Sequence, residues 1–266
     1  MPSSERIARC FAACKEAGRP ALIAYLTAGD PEPGRTAEIA LALERGGADI
    51  LELGVPFSDP IADGPVIQRA SDRALKAGAS VERVLDAARE IRARSEMPMI
   101  LFSYLNPLLR YGFEKLCADA REAGIDGCLF TDLSVEEAAD TVETMRQAGL
   151  DTVFLAAPTS TERRLKLVAD YSTGFVYVVS RTGVTGEQAQ VAGGVDGLVS
   201  SLRKLTSLPL AVGFGISKRE HVEAVGSYAD GVVIGSAVMR VVEQHGAAAD
   251  LEQHVEQFFK ELAGRA

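Results

Sequence analysis

The 266-residue sequence has no tryptophan, only four cysteines and no long apolar run. Its longest apolar runs, such as Val176–Val179, fall far short of the ~20 residues that span a bilayer, so a membrane protein is not expected. The N-terminus lacks the apolar stretch that a signal peptide needs. Four cysteines without a CxxC pair are too few for a disulfide framework, which favours a reducing, cytoplasmic location. A net charge of −9, from 28 basic and 37 acidic residues, argues against a nucleic-acid surface.

Histidine and lysine are also scarce where catalysis would use them. The three histidines, His221, His245 and His254, all lie in predicted helices near the C-terminus, and none follows a predicted strand. This placement disfavours a Ser–His or Cys–His nucleophile and a zinc or iron site. No lysine lies in a predicted strand, so a Schiff-base mechanism lacks its usual residue. Carboxylates and tyrosines remain as candidates for proton transfer.

A repeated pattern predicts the fold. Helical segments end in Gly, an Asp follows, and a short apolar run begins, which is typical of helix C-caps followed by strands buried on both faces. Helical spacing separates the runs, and an amphipathic helix with Ile7, Cys10, Phe11 and Cys14 on one face precedes the first run. The eight predicted strands are Ala21–Leu26, Asp49–Leu53, Pro98–Phe102, Gly127–Phe130, Thr152–Leu155, Gly174–Val179, Leu208–Val212 and Gly231–Ile234.

Eight strand–helix units in one chain predict an α/β protein, a (β/α)₈ TIM barrel with an extra N-terminal helix that closes its bottom. An open doubly wound sheet is the alternative that strand counting leaves open. Because no linker or composition shift divides the chain, residues 1–266 are expected to form a single domain.

Two carboxylates stand out. Glu52 lies inside the apolar run Ile50–Leu53, where a buried charge is costly unless it is paired or takes up a proton. An internal salt bridge and a general acid/base with a raised pKa are both consistent with this position. Asp63 follows in the stiff, proline-rich loop Val55–Pro65, which would hold a carboxylate in place, although loop aspartates are commonly turn residues.

Glycines follow the last three predicted strands. They occur in Ser180–Gly186, in Gly213-Phe214-Gly215, and at Gly235-Ser236, which opens a helix. Backbone N–H groups at such glycines and at a helix N-terminus bind anions, and the loops after strands seven and eight of TIM barrels often bind phosphate. Tight turns are the alternative, but their occurrence in all three loops favours a phosphate site.

These segments resemble the α subunit family of tryptophan synthase. The most specific matching segment is Leu51–Pro65, continued by Ile67–Ala70. The matches run in the expected order along nearly the whole chain, and the others are Leu26–Pro31, Tyr104–Pro107, Ala157–Ser160, Ser180–Gly186, Val212–Ser217 and Ile234–Val238.

The resemblance implies a barrel that cleaves indole-3-glycerol phosphate to indole and glyceraldehyde 3-phosphate. Glu52 would be the general acid/base, and Asp63 would accept a hydrogen bond from the indole N–H, with Thr185 of a lid over 180–195 meeting Asp63. The implied phosphate-binding residues are Gly186, Phe214, Gly215, Gly235 and Ser236. The implied indole pocket is Tyr25, Phe102, Leu129, Tyr177 and Thr185.

The resemblance also implies a partner. The family docks on a pyridoxal-phosphate β subunit in an α2β2 heterotetramer, so this chain would hold no cofactor or metal of its own. Pro56, Asp59, Asn106 and Pro107 would face that partner. Tyr25, where the family often has Phe, and the segment 130–134 depart from the usual pattern and bear on pocket detail rather than on the carboxylates.

Three alternatives remain at this point. A stand-alone lyase that releases free indole would use the same residues. Another phosphosugar barrel enzyme is disfavoured by Glu52 in the second predicted strand with Asp63 in the following loop. A non-catalytic subunit is disfavoured by the presence of both carboxylates.

Overall fold

Eight parallel strands close into a barrel in the computed structural model, which describes residues 5–179, 194–213 and 215–265. Each strand pairs with the next along the chain, and β1 pairs with β8, which excludes an open sheet. The predicted (β/α)₈ barrel is therefore confirmed. The strands are β1 Ala21–Thr27, β2 Ile50–Gly54, β3 Met99–Ser103, β4 Gly127–Phe130, β5 Asp151–Ala156, β6 Val176–Val179, β7 Leu210–Gly213 and β8 Gly231–Ile234.

The helices of the described ranges lie before, between and after these strands. Helical single turns of the 3₁₀ type occupy Pro33–Arg35 and Val135–Glu137. The helices are α1 Arg6–Glu16, α2 Thr36–Gly46, α3 Pro65–Lys76, α4 Val81–Arg92, α5 Leu105–Tyr111, α6 Phe113–Glu122, α7 Ala139–Ala148, α8 Glu162–Tyr171, α9 Val195–Leu202, α10 Arg219–Gly226, α11 Ser236–His245 and α12 Leu251–Ala263. None of the described helices is long and apolar enough to cross a membrane.

Every predicted strand overlaps an observed one, with small shifts at the ends. The predicted seventh strand started at Leu208, but β7 starts at Leu210. Pro209 has no N–H to donate to a ladder and contributes only its carbonyl, which accepts from the Val176 N–H at 2.9 Å. A proline near the start of a predicted strand therefore shortens it.

Helix α1 closes the amino end of the barrel, as its amphipathic pattern predicts. Ile7, Phe11 and Cys14 are buried against the inward-facing residues at the lower ends of the strands. The Phe11 ring lies 5.6 Å from the ring of Phe175, between centroids. With the bottom filled by apolar side chains, the open end of the barrel is the carboxyl end of the strands.

Side chains at the amino ends of the strands clamp neighbouring strands in pairs. In each pair, a residue that precedes the later strand has a side-chain oxygen that accepts a hydrogen bond. The donor is a backbone N–H at or near the start of the earlier strand. The pairs are Asp49 with Leu22, Asp126 with Met99, Thr173 with Thr152 and Asp230 with Leu210, at 2.8, 2.9, 2.9 and 2.7 Å. The Gly–x–Asp sequences at 47–49 and 124–126 thus have a structural explanation, because their aspartates are two of these four acceptors.

Candidate active site

Glu52 carries a buried carboxyl group that has no hydrogen-bond partner among the described residues. It points into the barrel from β2, in register with Tyr25 of β1 and Ile100 of β3, and is 1% exposed. Neither carboxyl oxygen has a hydrogen-bond partner among the described residues, and no described cation pairs with it. The internal salt bridge that the sequence left open is therefore absent from the described ranges. Burial raises the pKa of Glu52 to about 8 from an ordinary value of 4.5.

Asp63 lies in the loop between β2 and α3, at the carboxyl end of the strand that carries Glu52. It is 7% exposed, and its Oδ2 accepts a hydrogen bond from the Tyr104 hydroxyl at 3.1 Å. The same hydroxyl accepts from the Ala62 N–H at 2.9 Å. Burial raises the pKa of Asp63 to about 6, although the Tyr104 hydrogen bond lowers it. The loop therefore holds a carboxylate that is ionised at neutral pH.

Aromatic side chains line the space beside the two carboxyl groups. The rings of Tyr25 and Phe102 meet edge to face with centroids 5.1 Å apart. Burial is the main cause that raises the pKa of Tyr25 well above its usual value, and the negative charges of Asp63 and then Glu52 raise it further. The pKa of Tyr177 is raised by the same three causes, but there the charge of Glu52 has a larger effect than that of Asp63. Each phenol therefore interacts electrostatically with both carboxyl groups, so the four groups belong to one site.

Two glycines leave room for these phenols. A side chain at Gly54 would place its Cβ 2.4 Å from the Tyr25 hydroxyl, and one at Gly213 would place it 2.2 Å from the Tyr177 hydroxyl. Both distances are far shorter than any normal contact. Glycine at the carboxyl ends of β2 and β7 is thus required by the tyrosines that lean over them.

Leu129 is a fully buried residue of the predicted indole pocket. It is fully buried on the inner face of β4, in register with Phe102 of β3 and Val153 of β5. Its side chain belongs to the apolar layer inside the barrel that Phe102 also contacts. Leu129 therefore forms part of the floor of the site.

The residues predicted to bind phosphate lie partly in the described ranges. Gly235 immediately precedes α11 and Ser236 is its first residue, so unpaired backbone N–H groups face the carboxyl end of the barrel there. A Cβ at Gly235 would lie 3.5 Å from that of Tyr25, which places this helix end beside the aromatic wall. Gly215 follows β7 by two residues. Thr185, Gly186 and Phe214, and most of the 180–195 segment, lie outside the described residues.

The positions predicted to face a partner lie around the same mouth. Asp59 and Asn106 are exposed and Pro107 is half-buried, whereas Pro56 is buried in the isolated chain and presents little surface. Two apolar residues that the sequence reasoning missed are also exposed here: Ile61 at 82% and Leu109 at 56%. An isoleucine within a proline-rich loop, and a leucine two residues after Pro107, were the available signals in the sequence.

Tyr104 is a third residue that the sequence alone did not assign to the site, although it begins one of the matching segments. Its position directly after a strand, where ring and hydroxyl can face the mouth, was the available signal. Within the described ranges no group of three or more His, Cys, Asp or Glu side chains is placed to hold a metal ion. Two carboxyl groups with separated pKa values and an aromatic wall can support acid–base chemistry on an aromatic substrate.

Comparison with known proteins gives one consistent result. The family profile described as tryptophan synthase alpha chain matches residues 11–265. A tryptophan synthase alpha chain of Solibacter usitatus is 62% identical over 257 residues, covering 97% of this chain and 96% of the relative. That of Geobacter sulfurreducens is 46% identical and covers 97% of both.

Solved structures agree with the sequence comparison. The tryptophan synthase alpha subunit of Legionella pneumophila superimposes with a TM-score of 0.89 at 34% identity, covering 98% of this chain and 97% of that one. A chain from the tryptophan synthase α2β2 complex of Pyrococcus furiosus gives 0.85 at 40% identity, with 92% and 98% covered.

Proposed function

The chain belongs to the tryptophan synthase alpha chain family, and we propose that Glu52 and Asp63 carry out that family's reaction at the mouth of the barrel. The reaction cleaves indole-3-glycerol phosphate to indole and glyceraldehyde 3-phosphate, so the chain is a lyase of L-tryptophan biosynthesis. The residue assignment rests on one observation: two buried carboxyl groups in one site whose pKa values are about 8 and about 6. Near pH 7 the first is a neutral acid and the second a carboxylate.

This difference fits the two tasks of the reaction. Neutral Glu52 donates its proton to indole C3, which leaves the ring positively charged, and Asp63 balances that charge by accepting a hydrogen bond from the ring N–H. The resulting Glu52 carboxylate then takes the proton of the substrate hydroxyl as the carbon–carbon bond breaks and an aldehyde forms. Glu52 ends the cycle protonated, so protons and electrons balance. A fixed carboxylate placed before charge develops is electrostatic preorganisation.

The remaining site residues take supporting roles in this proposal. Tyr25, Phe102, Leu129, Tyr177 and Thr185 surround the indole ring. The substrate phosphate binds at Gly235 and Ser236, where the N-terminus of α11 offers N–H groups and the positive end of its dipole, together with Gly186, Phe214 and Gly215. The closeness of Gly235 to Tyr25 supports one continuous pocket for ring and phosphate.

The carboxylate assignment is tested by paired amide substitutions. Glu52→Gln removes the proton at nearly constant volume and is expected to abolish indole release, and Asp63→Asn is expected to impair it severely. Glu90→Gln, an exposed Glu-to-Gln change on α4, is the matched control. Near wild-type turnover of a correctly folded Glu52→Gln protein would contradict the role of Glu52 as the acid/base. Strong activity of the Asp63→Asn protein would show that another group contacts the ring N–H.

The pH profile is a second test. Activity requires Glu52 protonated and Asp63 ionised, so kcat/KM is expected to fall below a pH of about 6 and above about 8. The alkaline limb should be absent from any residual activity of Glu52→Gln. An activity that keeps rising above pH 9 would contradict a protonated Glu52.

The chain pairs with a tryptophan synthase β subunit, and we propose that Asp59, Asn106 and Pro107, with the exposed Ile61 and Leu109, form its docking face. Pyridoxal phosphate would belong to the β subunit, and this chain would need no cofactor. Indole release is to be measured with and without added β subunit. Slow turnover with strong stimulation is expected, and fast turnover that β does not change would indicate a stand-alone lyase.

We also propose that residues 1–266 act as one domain in the cytoplasm. The four cysteines are free thiols, as a reducing compartment would keep them. A wild-type protein that unfolded in two separate steps would contradict the single domain.

A further inference from the structure

Tyr104 lies between the loop 55–64, which carries Asp63 and is called the catalytic loop below, and helix α5, which carries part of the proposed docking face. It is 4% exposed, follows β3, and immediately precedes α5. Its hydroxyl accepts from the Ala62 N–H at 2.9 Å and donates to Asp63 Oδ2 at 3.1 Å. A phenol has one proton to donate, and the backbone N–H can only donate. The direction of both hydrogen bonds is therefore fixed.

This geometry leaves one carboxylate oxygen of Asp63 for the substrate. Oδ2 is occupied by Tyr104, and within the described ranges no side chain donates to Oδ1. Since Asp63 is nearly buried, the hydroxyl of Tyr104 sets which oxygen is presented and how the carboxyl plane is turned. A free Asp63 side chain would have to be ordered by the substrate itself, at an entropic cost.

The ring of Tyr104 is held as firmly as its hydroxyl. The Phe57 ring from the catalytic loop lies 5.2 Å away between centroids. The Tyr104 carbonyl accepts a hydrogen bond from the Ser103 hydroxyl at 2.8 Å, and the next residue, Leu105, donates its N–H to Asp132 at 2.8 Å. Tyr104 is thus anchored to the loop on one side and to the start of α5 on the other.

Helix α5 also carries the exposed Asn106 and Leu109. Only Leu105 separates Tyr104 from Asn106 in the chain, so a partner that seats on α5 reaches Asp63 through a single side chain. We propose that Tyr104 is a positioning residue that orients Asp63 and transmits the docking of the partner on α5 to that carboxylate. This inference rests on the proposed function, because it assigns Tyr104 a role in the acid–base site described above.

The ionisable groups around Asp63 make the inference testable by pH. Tyr25 of β1, Tyr177 of β6 and Tyr104 face Asp63, and Glu52 of β2 shares the two strand tyrosines with it. Of these, only Tyr104 donates a hydrogen bond to the Asp63 carboxylate in the described ranges. Removing that bond disfavours the ionised form of Asp63, so the acid limb of the activity profile must move to higher pH.

Tyr104→Phe removes the hydroxyl and keeps the ring. We expect kcat to fall by about 10- to 100-fold, the range for losing one hydrogen bond to a charged group, with a smaller change in KM. The acid limb should move up by about one pH unit, and stimulation by the β subunit should shrink. Tyr111→Phe is the matched control on α5, because the Tyr111 hydroxyl bonds Asp119 away from the site, and it should leave all three readouts unchanged.

A double variant separates this inference from the proposed function. If Tyr104 acts through Asp63, then Tyr104→Phe adds little further loss to Asp63→Asn. The role of Tyr104 would be overturned by any of three results: additive losses in the double variant, an acid limb of Tyr104→Phe that does not move, or stimulation of Tyr104→Phe by the β subunit equal to that of the wild type. In each case an inactive Asp63→Asn protein would leave the proposed function intact. A fully active Asp63→Asn protein would instead overturn the role of Asp63 in that function.

Discussion

Glu52 is expected to make the protein less stable as the pH rises. Its pKa is about 8 in the folded chain and 4.5 as an ordinary glutamate, so the folded state binds the proton more tightly than the unfolded state. Between these two values the folded state keeps a proton that the unfolded state has lost, and stability therefore falls with increasing pH. At 1.36 kcal/mol per pKa unit, the loss is about 5 kcal/mol in full and about 2–3 kcal/mol between pH 6 and 8.

The Glu52→Gln protein lacks this titration. Its buried amide adds a cost of about 1–3 kcal/mol that does not depend on pH, so the informative quantity is the difference in unfolding free energy between variant and wild type as a function of pH. We expect that difference to shift in favour of the variant by about 2–3 kcal/mol from pH 6 to 8 and to level off above about pH 8. Asp63 is present in both proteins, so its titration largely cancels.

Urea unfolding followed by circular dichroism, at half-unit steps from pH 5.5 to 9, measures this difference. Glu90→Gln is again the control and should give a difference that does not change with pH. If the difference for Glu52→Gln were also constant between pH 6 and 8, the pKa of Glu52 would not be raised, and its assignment as the proton donor would lose its physical basis.

Three other predictions address the pocket, the barrel bottom and the partner face. Gly213→Ala places a methyl group against the Tyr177 hydroxyl and should lower kcat/KM, and Tyr177→Leu in the same chain should recover part of the loss; equal, additive losses would refute the clash. Asp126→Asn removes the negative charge of a buried carboxylate that pairs with two arginines. It should lower the unfolding free energy, measured by urea unfolding, by about 3 kcal/mol, and it should leave the rate of indole release unchanged. Ile61→Asp should leave the isolated chain unaffected but weaken its binding to the β subunit in a titration, and unaltered affinity would exclude Ile61 from the interface.

The fold was predictable because its signals are local. Each strand is a short apolar run, three of the runs follow a glycine at the end of a helix, and eight such runs leave few topologies. Glu52 was detectable for the same reason, because a charge within an apolar strand is anomalous by itself. The predicted placement of Glu52 in a strand was correct. The choice between an internal salt bridge and a general acid required the structure, in which no described cation pairs with Glu52.

The features of the site that the sequence did not predict depend on contacts between segments that are distant in the chain. Tyr104 and Asp63 are 41 residues apart, and nothing in either segment specifies that a hydroxyl from one meets the carboxylate of the other. Likewise, the burial of Pro56 and the exposure of Ile61 follow from how the whole loop folds over the barrel. Periodicity describes faces of single elements and not the conformation of such a loop.

The clamps at the amino ends of the strands have a consequence for the order of folding. They join β1 to β2, β3 to β4, β5 to β6 and β7 to β8 across only 20 to 27 residues, whereas the β1–β8 seam joins nearly opposite ends of the chain. Loop closure costs more entropy as the loop lengthens, and non-local contacts slow folding. We therefore expect the four locally clamped strand pairs to assemble early and the seam to close last, so that the carboxyl groups of Glu52 and Asp63 acquire their buried environment only when the barrel is complete.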